Sequence, residues 1–111
     1  MATNFNGPIV LLDVPVDHQG LSLTHAAITE VTFDTRPGSE VAWVMATYGR
    51  LISDELVLTE GPMSHQNITD PTDLAAIYDT VSNVDETAHD AIFRAAANWM
   101  LSEGHLAGSI I

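Results

Sequence analysis

The sequence contains no lysine, and its only strongly basic side chains are the three arginines Arg36, Arg50 and Arg94. Against them stand 15 aspartates and glutamates, so the formal net charge is −12. A surface with this balance cannot neutralise a row of phosphates, which argues against nucleic-acid binding. An anionic membrane surface would repel the chain for the same reason.

Cysteine is also absent, which excludes disulfides, thiolate metal ligands and thiol nucleophiles. The longest apolar run, from Ile9 to Leu12, has four residues. A membrane span needs about 20. No basic segment or long apolar stretch follows Met1, so we expect no secretory signal. These absences predict a protein that is soluble or bound to other soluble parts.

What the chain does contain is enough apolar material for one packed domain, since 46% of its 111 residues are hydrophobic. The acidity therefore belongs to a folded domain and not to a disordered tail. Three causes remain open for it: adaptation to salt, a partner with a basic surface, and an acidic proteome.

The first part of the chain predicts extended structure. Residues 1–20 are expected to form an extended N-terminal arm or an edge strand, because Pro8 and Pro15 bracket Ile9–Val14 and neither suits a helix interior. Residues 21–111 are expected to form a single α+β domain.

Three strands are predicted within that domain. Leu21–Phe33 alternates apolar and polar residues, with a bulge near His25–Ile28 where the pattern breaks. After a turn at residues 34–39, Val41–Tyr48 is apolar at odd and even positions, which predicts a central strand covered on both faces. Residues from Gly49 start a connection, and Glu55–Glu60 forms a further strand.

Helical periodicity follows. Asp70 is a good N-cap with Pro71 at the first helical position, and apolar stripes predict helices near residues 71–81 and 85–103. Strands followed by helices indicate an α+β fold. We expect a small antiparallel sheet of about three to four strands, with two C-terminal helices packed on one face. Trp43 or Met45 should then meet Ile77, Ile92 or Trp99.

No residue pattern predicts catalysis or a cofactor. Three sets of residues were considered and rejected, because their side chains are expected to be solvated or isolated. They are Asp85, Glu86 and His89 as metal ligands, Ser64 and His65 as part of a catalytic triad, and Asp54, Glu55 and Glu60 as paired carboxylates. We expect no enzyme activity, no metal or other cofactor, and no small-molecule substrate.

Apolar residues near both ends of the chain are the candidate interface. They lack an obvious place in a small core, so we expect them to contact another subunit. The candidate residues are Ile9, Val10, Leu11, Leu12, Val14, Leu106, Ile110 and Ile111.

The order of segments resembles a known class of proteins. Ile28–Phe33 is followed by a turn, by Val41–Tyr48, by Leu56–Thr59 and, after a spacer to Asp70, by an alanine-rich helix that ends in Trp99 and Met100. Over residues 21–103 this pattern resembles small accessory structural proteins of tailed-bacteriophage virions. The resemblance implies a non-enzymatic virion component, assembled in the host cytoplasm, that decorates the capsid or belongs to the neck, tail or baseplate. Its partners would be other virion proteins and copies of itself.

Two other classes remain open. The charge favours a small acidic adaptor or inhibitor that binds a basic protein, even as a mimic of nucleic acid. A subunit or enzyme built on a small α+β fold is the third class, because such folds host many functions.

Overall fold

A computed structural model describes residues 8–111, apart from the side chains of residues 60–62. Residues 1–7 of the predicted arm lie outside the described residues. The elements in chain order are β1 (Ile9–His18), β2 (Leu21–Asp34), β3 (Val41–Ile52), β4 (Glu55–Ile68), α1 (Pro71–Tyr78), α2 (Ala88–Ser102) and β5 (Gly108–Ile110).

The strands form one antiparallel sheet of five strands in the order β4-β3-β2-β1-β5. The predicted α+β class with an antiparallel sheet and two helices is confirmed. The predicted number of three to four strands is too low. One additional strand is β1, which lies within the predicted arm and pairs with both β2 and β5. The other is β5, which follows the helices and is only three residues long.

Two of the hairpins close with tight turns. Gln19 and Gly20 have φ of 50° and 81°, and Ser53 and Asp54 have φ of 51° and 64°. Two consecutive residues with positive φ make a turn whose twist matches that of the flanking strands. The predicted connection at Gly49 was therefore wrong, because β3 continues to Ile52 before the chain reverses. Strand β4 likewise continues past the proline at position 62, at which we expected it to end.

A bulge in β2 changes the side of the sheet on which its residues lie. Ile28 pairs with Ala46 and Glu30 pairs with Met45, so Thr29 is the additional residue. The predicted bulge was placed slightly too early, at residues 25–28. Before the bulge the even-numbered residues of β2 face the helices, and after it the odd-numbered residues do. The apparent single alternation over 21–33 thus joins two segments with opposite orientation.

Side-chain caps define where the helices begin. The Asp70 carboxylate accepts hydrogen bonds from the backbone N–H groups of Thr72 and Asp73, at 2.8 and 3.2 Å. The Thr87 hydroxyl accepts one from the N–H of Asp90 at 3.0 Å. Each cap satisfies N–H groups that have no partner inside the helix. The first cap confirms the predicted start at 71, whereas α2 begins at Ala88 and not near 85.

The main core lies between one face of the sheet and both helices. It combines small residues of the strands and of α2 with larger residues of the strands and of both helices. Its fully buried strand members include Val10, Ala26, Ile28, Ala42, Val44 and Ala46, and its helical members are Leu74, Ile77, Ala96, Ala97 and Met100. Helix α2 packs on β2 and β5, and α1 packs on α2.

Candidate functional site

The opposite side of the sheet carries a second set of apolar side chains. Cα partners in an antiparallel pair project to the same face, so the strand register defines the members of this face. We call it the open sheet face; it contains Ile9, Leu11, Ala27, Glu30, Thr32, Trp43, Met45, Thr47, Met63, His65, Asn67 and Ile111. None of these residues belongs to the core cluster that both helices share.

Alternation along β3 places Trp43 and Met45 on the open sheet face. Ala42, Val44 and Ala46 face the helices, so Trp43 and Met45 must face away from them. Both are half-buried. The expectation that Trp43 or Met45 would contact helical residues was therefore wrong. The strand is apolar at odd and even positions, as predicted, but the helices cover only one of its faces.

The open sheet face is organised in rows that cross β2, β3 and β4. Glu30, Met45 and His65 form one row, because Met45 pairs with both of the others. On one side of it lies the row Thr32, Trp43 and Asn67; on the other lies the row Ala27, Thr47 and Met63. In each row a residue of the central strand β3 is flanked by residues of β2 and β4.

The polar groups in the centre of this face are paired with each other. The hydroxyl groups of Thr29, at the bulge, and Thr47 lie 2.8 Å apart, within hydrogen-bond distance. Thr32 donates to the Glu30 carboxylate at 3.1 Å. His65 is exposed beside Met45. The face therefore offers an apolar centre with one acidic and one imidazole group on opposite sides.

The structure divides the predicted interface residues into three groups. Val10, Leu12 and Leu106 are 0%, 9% and 3% exposed, and belong to the core. Ile9 and Ile110 are half-buried. The exposed members are Leu11, Val14 and Ile111 at 42%, 74% and 62%.

Pairing of the chain ends explains this division. Val10 pairs with Ile110 across β1 and β5, and the N–H of Ile111 donates to the carbonyl of Ile9 at 2.9 Å. The apolar ends thus do have a place in the core, contrary to our premise. Val10 and Leu12 face the helices, while Leu11 and Ile111 project onto the open sheet face. Short strands such as β5 give too weak a sequence signal to be predicted.

The polar groups considered for catalysis are separated by the fold. Ser64 pairs with Ala46 and His65 with Met45, so these consecutive residues lie on opposite faces of the sheet. Asp54 and Glu55 are exposed at the β3–β4 turn, and the side chain of Glu60 lies outside the described residues. No group of three or more histidines, aspartates or glutamates with the spacing of a metal site occurs within the described part of the chain.

Two of the three arginines form ion pairs within the chain. Arg36 binds Asp34, and Arg94 binds Glu86 through Nε and an Nη nitrogen at 2.9 and 3.0 Å. Arg94 also donates to the carbonyl of Val81. Hydrogen bonds from Arg36 hold the pKa of Asp34 below its usual value, and those from Arg94 and from the backbone of Asn83 do the same for Glu86. Glu86, considered and rejected above as a metal ligand, thus fixes the segment before α2 through its ion pair with Arg94.

An open groove lies between α1 and α2. Its lining includes Asp73, Ile77, Asn98 and Trp99. The Trp99 indole N–H donates to the Asp73 carboxylate at 3.1 Å, and its ring lies 5.1 Å from that of His105. These contacts join the two helices and the segment that leads to β5, so they account for the conformation of Trp99 without a ligand.

No helix in the described part of the chain combines the length and the apolar character needed to cross a membrane. Comparisons with models of protein families, with curated protein sequences and with solved structures gave no significant match.

Proposed function

We propose that this chain is a non-enzymatic structural protein of a tailed-bacteriophage virion that acts through protein–protein contacts. The observation that carries the proposal is the open sheet face. It combines a half-buried tryptophan and methionine with exposed Leu11, Met63 and Ile111, at 42%, 49% and 62% exposure. Aromatic residues and methionine are enriched at protein interfaces. Apolar surface that continues across several strands is typical of an interaction site.

The shape of this face favours a protein partner over a small ligand. Sites for small molecules are concave and enclose most of the ligand. The open sheet face is instead a side of an extended antiparallel sheet, with side chains projecting from all five strands. A broad surface of this kind suits the flat contacts between neighbouring subunits of an assembly.

The charge supports a protein partner that is neutral or basic. With a net charge of −12, and with two of three arginines already bound to carboxylates, the chain cannot offer the several cationic contacts that phosphates require. Capsid decoration and a position in the neck, tail or baseplate are the roles that the resemblance to virion accessory proteins supports.

The direct test is mass spectrometry of particles purified from the phage that carries this gene. We expect the chain at a fixed copy number relative to the major capsid protein, retained after density-gradient purification. Its absence from purified particles, while present in the infected cell, would contradict a virion function.

A pair of variants tests whether the open sheet face makes the contact. Leu11→Asp places a charge on this face, and Val84→Asp places the same charge at a residue that is 93% exposed in the loop before α2. We expect Leu11→Asp to fold but to be lost from particles, whereas Val84→Asp should be incorporated normally. Equal incorporation of both variants would exclude this part of the face as the contact.

The second candidate is a small acidic adaptor or inhibitor of a basic protein. The charge favours this candidate, because the chain has 15 acidic residues and only three arginines. Electrostatic steering predicts that association with such a partner slows steeply as salt rises. The rate of association through the apolar face should change little with salt. Stopped-flow or surface-based measurements of the association rate at low and high salt distinguish the two candidate functions.

A further inference from the structure

We infer that two copies of this chain pack face to face through β2, β3 and β4, around a twofold axis parallel to β3. The inference rests on the proposed function only in that it takes the open sheet face to be a contact surface. It identifies the protein that covers β2, β3 and β4 as a second copy of the same chain.

The argument begins with symmetry. A twofold axis that runs along β3, between two stacked sheets, places β2 of one copy over β4 of the other. Residues that share a row in one copy then oppose residues of the same row in the second copy. Stacked sheets lie about 10 Å apart with their strands within about 30° of each other, so this row-to-row opposition holds near the axis.

Charge complementarity supports this particular axis. In the central row, Met45 opposes Met45, and Glu30 of each copy opposes His65 of the other. The carboxylate can accept a hydrogen bond from the imidazole N–H, and symmetry repeats this contact on both sides of the methionine pair. An axis along β2 would instead oppose Glu30 with Glu30, and like charges at that distance repel.

The flanking rows are compatible in polarity. Met63 is 49% exposed and would lie above Ala27, which is itself 0% exposed, so that Met63 would contact the side chains around Ala27. In the other row Asn67 opposes Thr32, so polar groups meet polar groups, and Trp43 packs near Trp43.

The extent of this surface predicts a weak dimer. Three strands spaced about 4.8 Å apart, over the three rows of about 6.8 Å described above, cover roughly 300 Å² per copy. The total of roughly 600 Å² is below the size of a standard specific interface, so the contact should be weak and transient. Two copies with a net charge of −12 also repel each other. Salt should therefore strengthen the dimer, because it screens this long-range repulsion.

Leu11 and Ile111 remain accessible in such a dimer. Strands β1 and β5 extend beyond β4 of the second copy, because β4 is the edge of the sheet. The dimer therefore uses the β2–β4 side of the open sheet face and leaves its β1–β5 side for a different protein. Variants in the two regions can be tested separately.

Analytical ultracentrifugation of the full chain tests the dimer. We expect reversible dimerisation at concentrations of tens to hundreds of micromolar, becoming tighter between about 0.1 and 0.5 M NaCl. Met63→Asp should weaken it at least about tenfold, since it places a carboxylate in the contact between the two sheets. Val84→Asp adds the same charge outside the interface and should leave the dissociation constant unchanged. Thermal melting of dilute samples will show that both variants remain folded.

A charge exchange tests the predicted contact between Glu30 and His65. Glu30→Lys should weaken the dimer, and Glu30→Lys combined with His65→Glu should restore it, because the reciprocal pairs are rebuilt with opposite orientation. Glu103→Lys changes the net charge equally, at an exposed residue that follows α2, and should not weaken the dimer.

A chain that stays monomeric at every concentration and salt would overturn the inference, as would equal effects of Met63→Asp and Val84→Asp. If Glu30→Lys combined with His65→Glu does not restore the dimer, the proposed axis would be overturned. Neither result affects the proposed virion function, which depends on the presence of the chain in particles and on Leu11.

Discussion

Along residues 42–46 of the interior strand β3, the two faces of the sheet differ in the size of their side chains more than in their polarity. On the side covered by the helices, β3 contributes Ala42, Val44 and Ala46, all fully buried. On the open side it contributes Trp43 and Met45. Helix α2 also faces the sheet with small residues, Ala96 and Ala97. Small residues on both surfaces let a helix approach a sheet closely, so hydropathy alone does not identify the covered face.

A strand that is apolar on both sides can still have one accessible face. Between Val41 and Gly49 both sides of β3 lack charged residues, but only one side is packed against helices within the described residues. The remaining apolar residues need another surface, and in a protein that acts through assembly that surface belongs to a neighbouring subunit. Substitutions on the two faces should therefore affect stability and association differently.

The largest expected effect is on the covered face. Met100 in α2 is 0% exposed, and Met100→Ala should reduce the free energy of unfolding by about 2–5 kcal/mol. The loss combines the removed apolar contact with the cavity that is left. Urea denaturation monitored by tryptophan fluorescence measures it. A loss below about 1 kcal/mol would mean that the helix layer is loosely packed.

The next effect concerns Gly108, at the start of β5. A Cβ atom at this position would collide with the carbonyl oxygen of Leu11 in β1. Gly108→Ala should therefore separate β5 from β1 and cost about 1–3 kcal/mol. Hydrogen exchange should show lost protection at residues 9–12 and 108–111. Ser109→Ala, at an exposed residue of the same strand, is the control and should retain that protection.

A smaller effect is expected from the contact between the helices. Trp99→Phe keeps an aromatic ring but removes the N–H that binds Asp73, and should cost about 0.5–1.5 kcal/mol. A double-mutant cycle with Asp73→Ala isolates the hydrogen bond from the change in ring size. Strictly additive effects of the two substitutions would show that this contact does not join α1 to α2.

The smallest effect on stability is expected on the open face. Met63→Ala should change the free energy of unfolding of the dilute monomer by less than about 0.5 kcal/mol, because this side chain is half exposed. Compared with Met100→Ala, it tests the same residue type on the two faces. Similar losses for both substitutions would contradict the distinction between a covered and an open face.

Local features of the fold could be predicted from the sequence. The cap at Asp70, the turn over residues 34–39 and the apolar character of 41–48 depend on neighbouring residues and were identified correctly. The end of β4 was not, because Gly61 and Pro62 are typical of a chain break, yet the sheet register continues beyond them to Ile68. Proline is tolerated in an edge strand, and β4 is at the edge.

The candidate site was only partly predictable. Leu11 and Ile111 were identified as interface residues from their position near the chain ends, and the structure places both on the open sheet face. Trp43 and Met45 were assigned to the helix-covered core, because alternation does not reveal which side the helices occupy. The rows that bring Glu30 and His65 to either side of Met45 depend on pairing between residues far apart in the sequence.

The sequence by itself determined the excess of acidic residues, the absence of cysteine chemistry, the fold class, the helix start at 71 and the strongly apolar strand at 41–48. These follow from charge, hydropathy and hydrogen bonds between neighbouring residues. Only the tertiary structure decided that the chain ends pair as β1 and β5, that Thr29 forms the bulge that reverses β2, and that Trp43 and Met45 face away from the helices. Each of these depends on which distant segments pack together. One additional residue in a strand moves every later side chain to the opposite face.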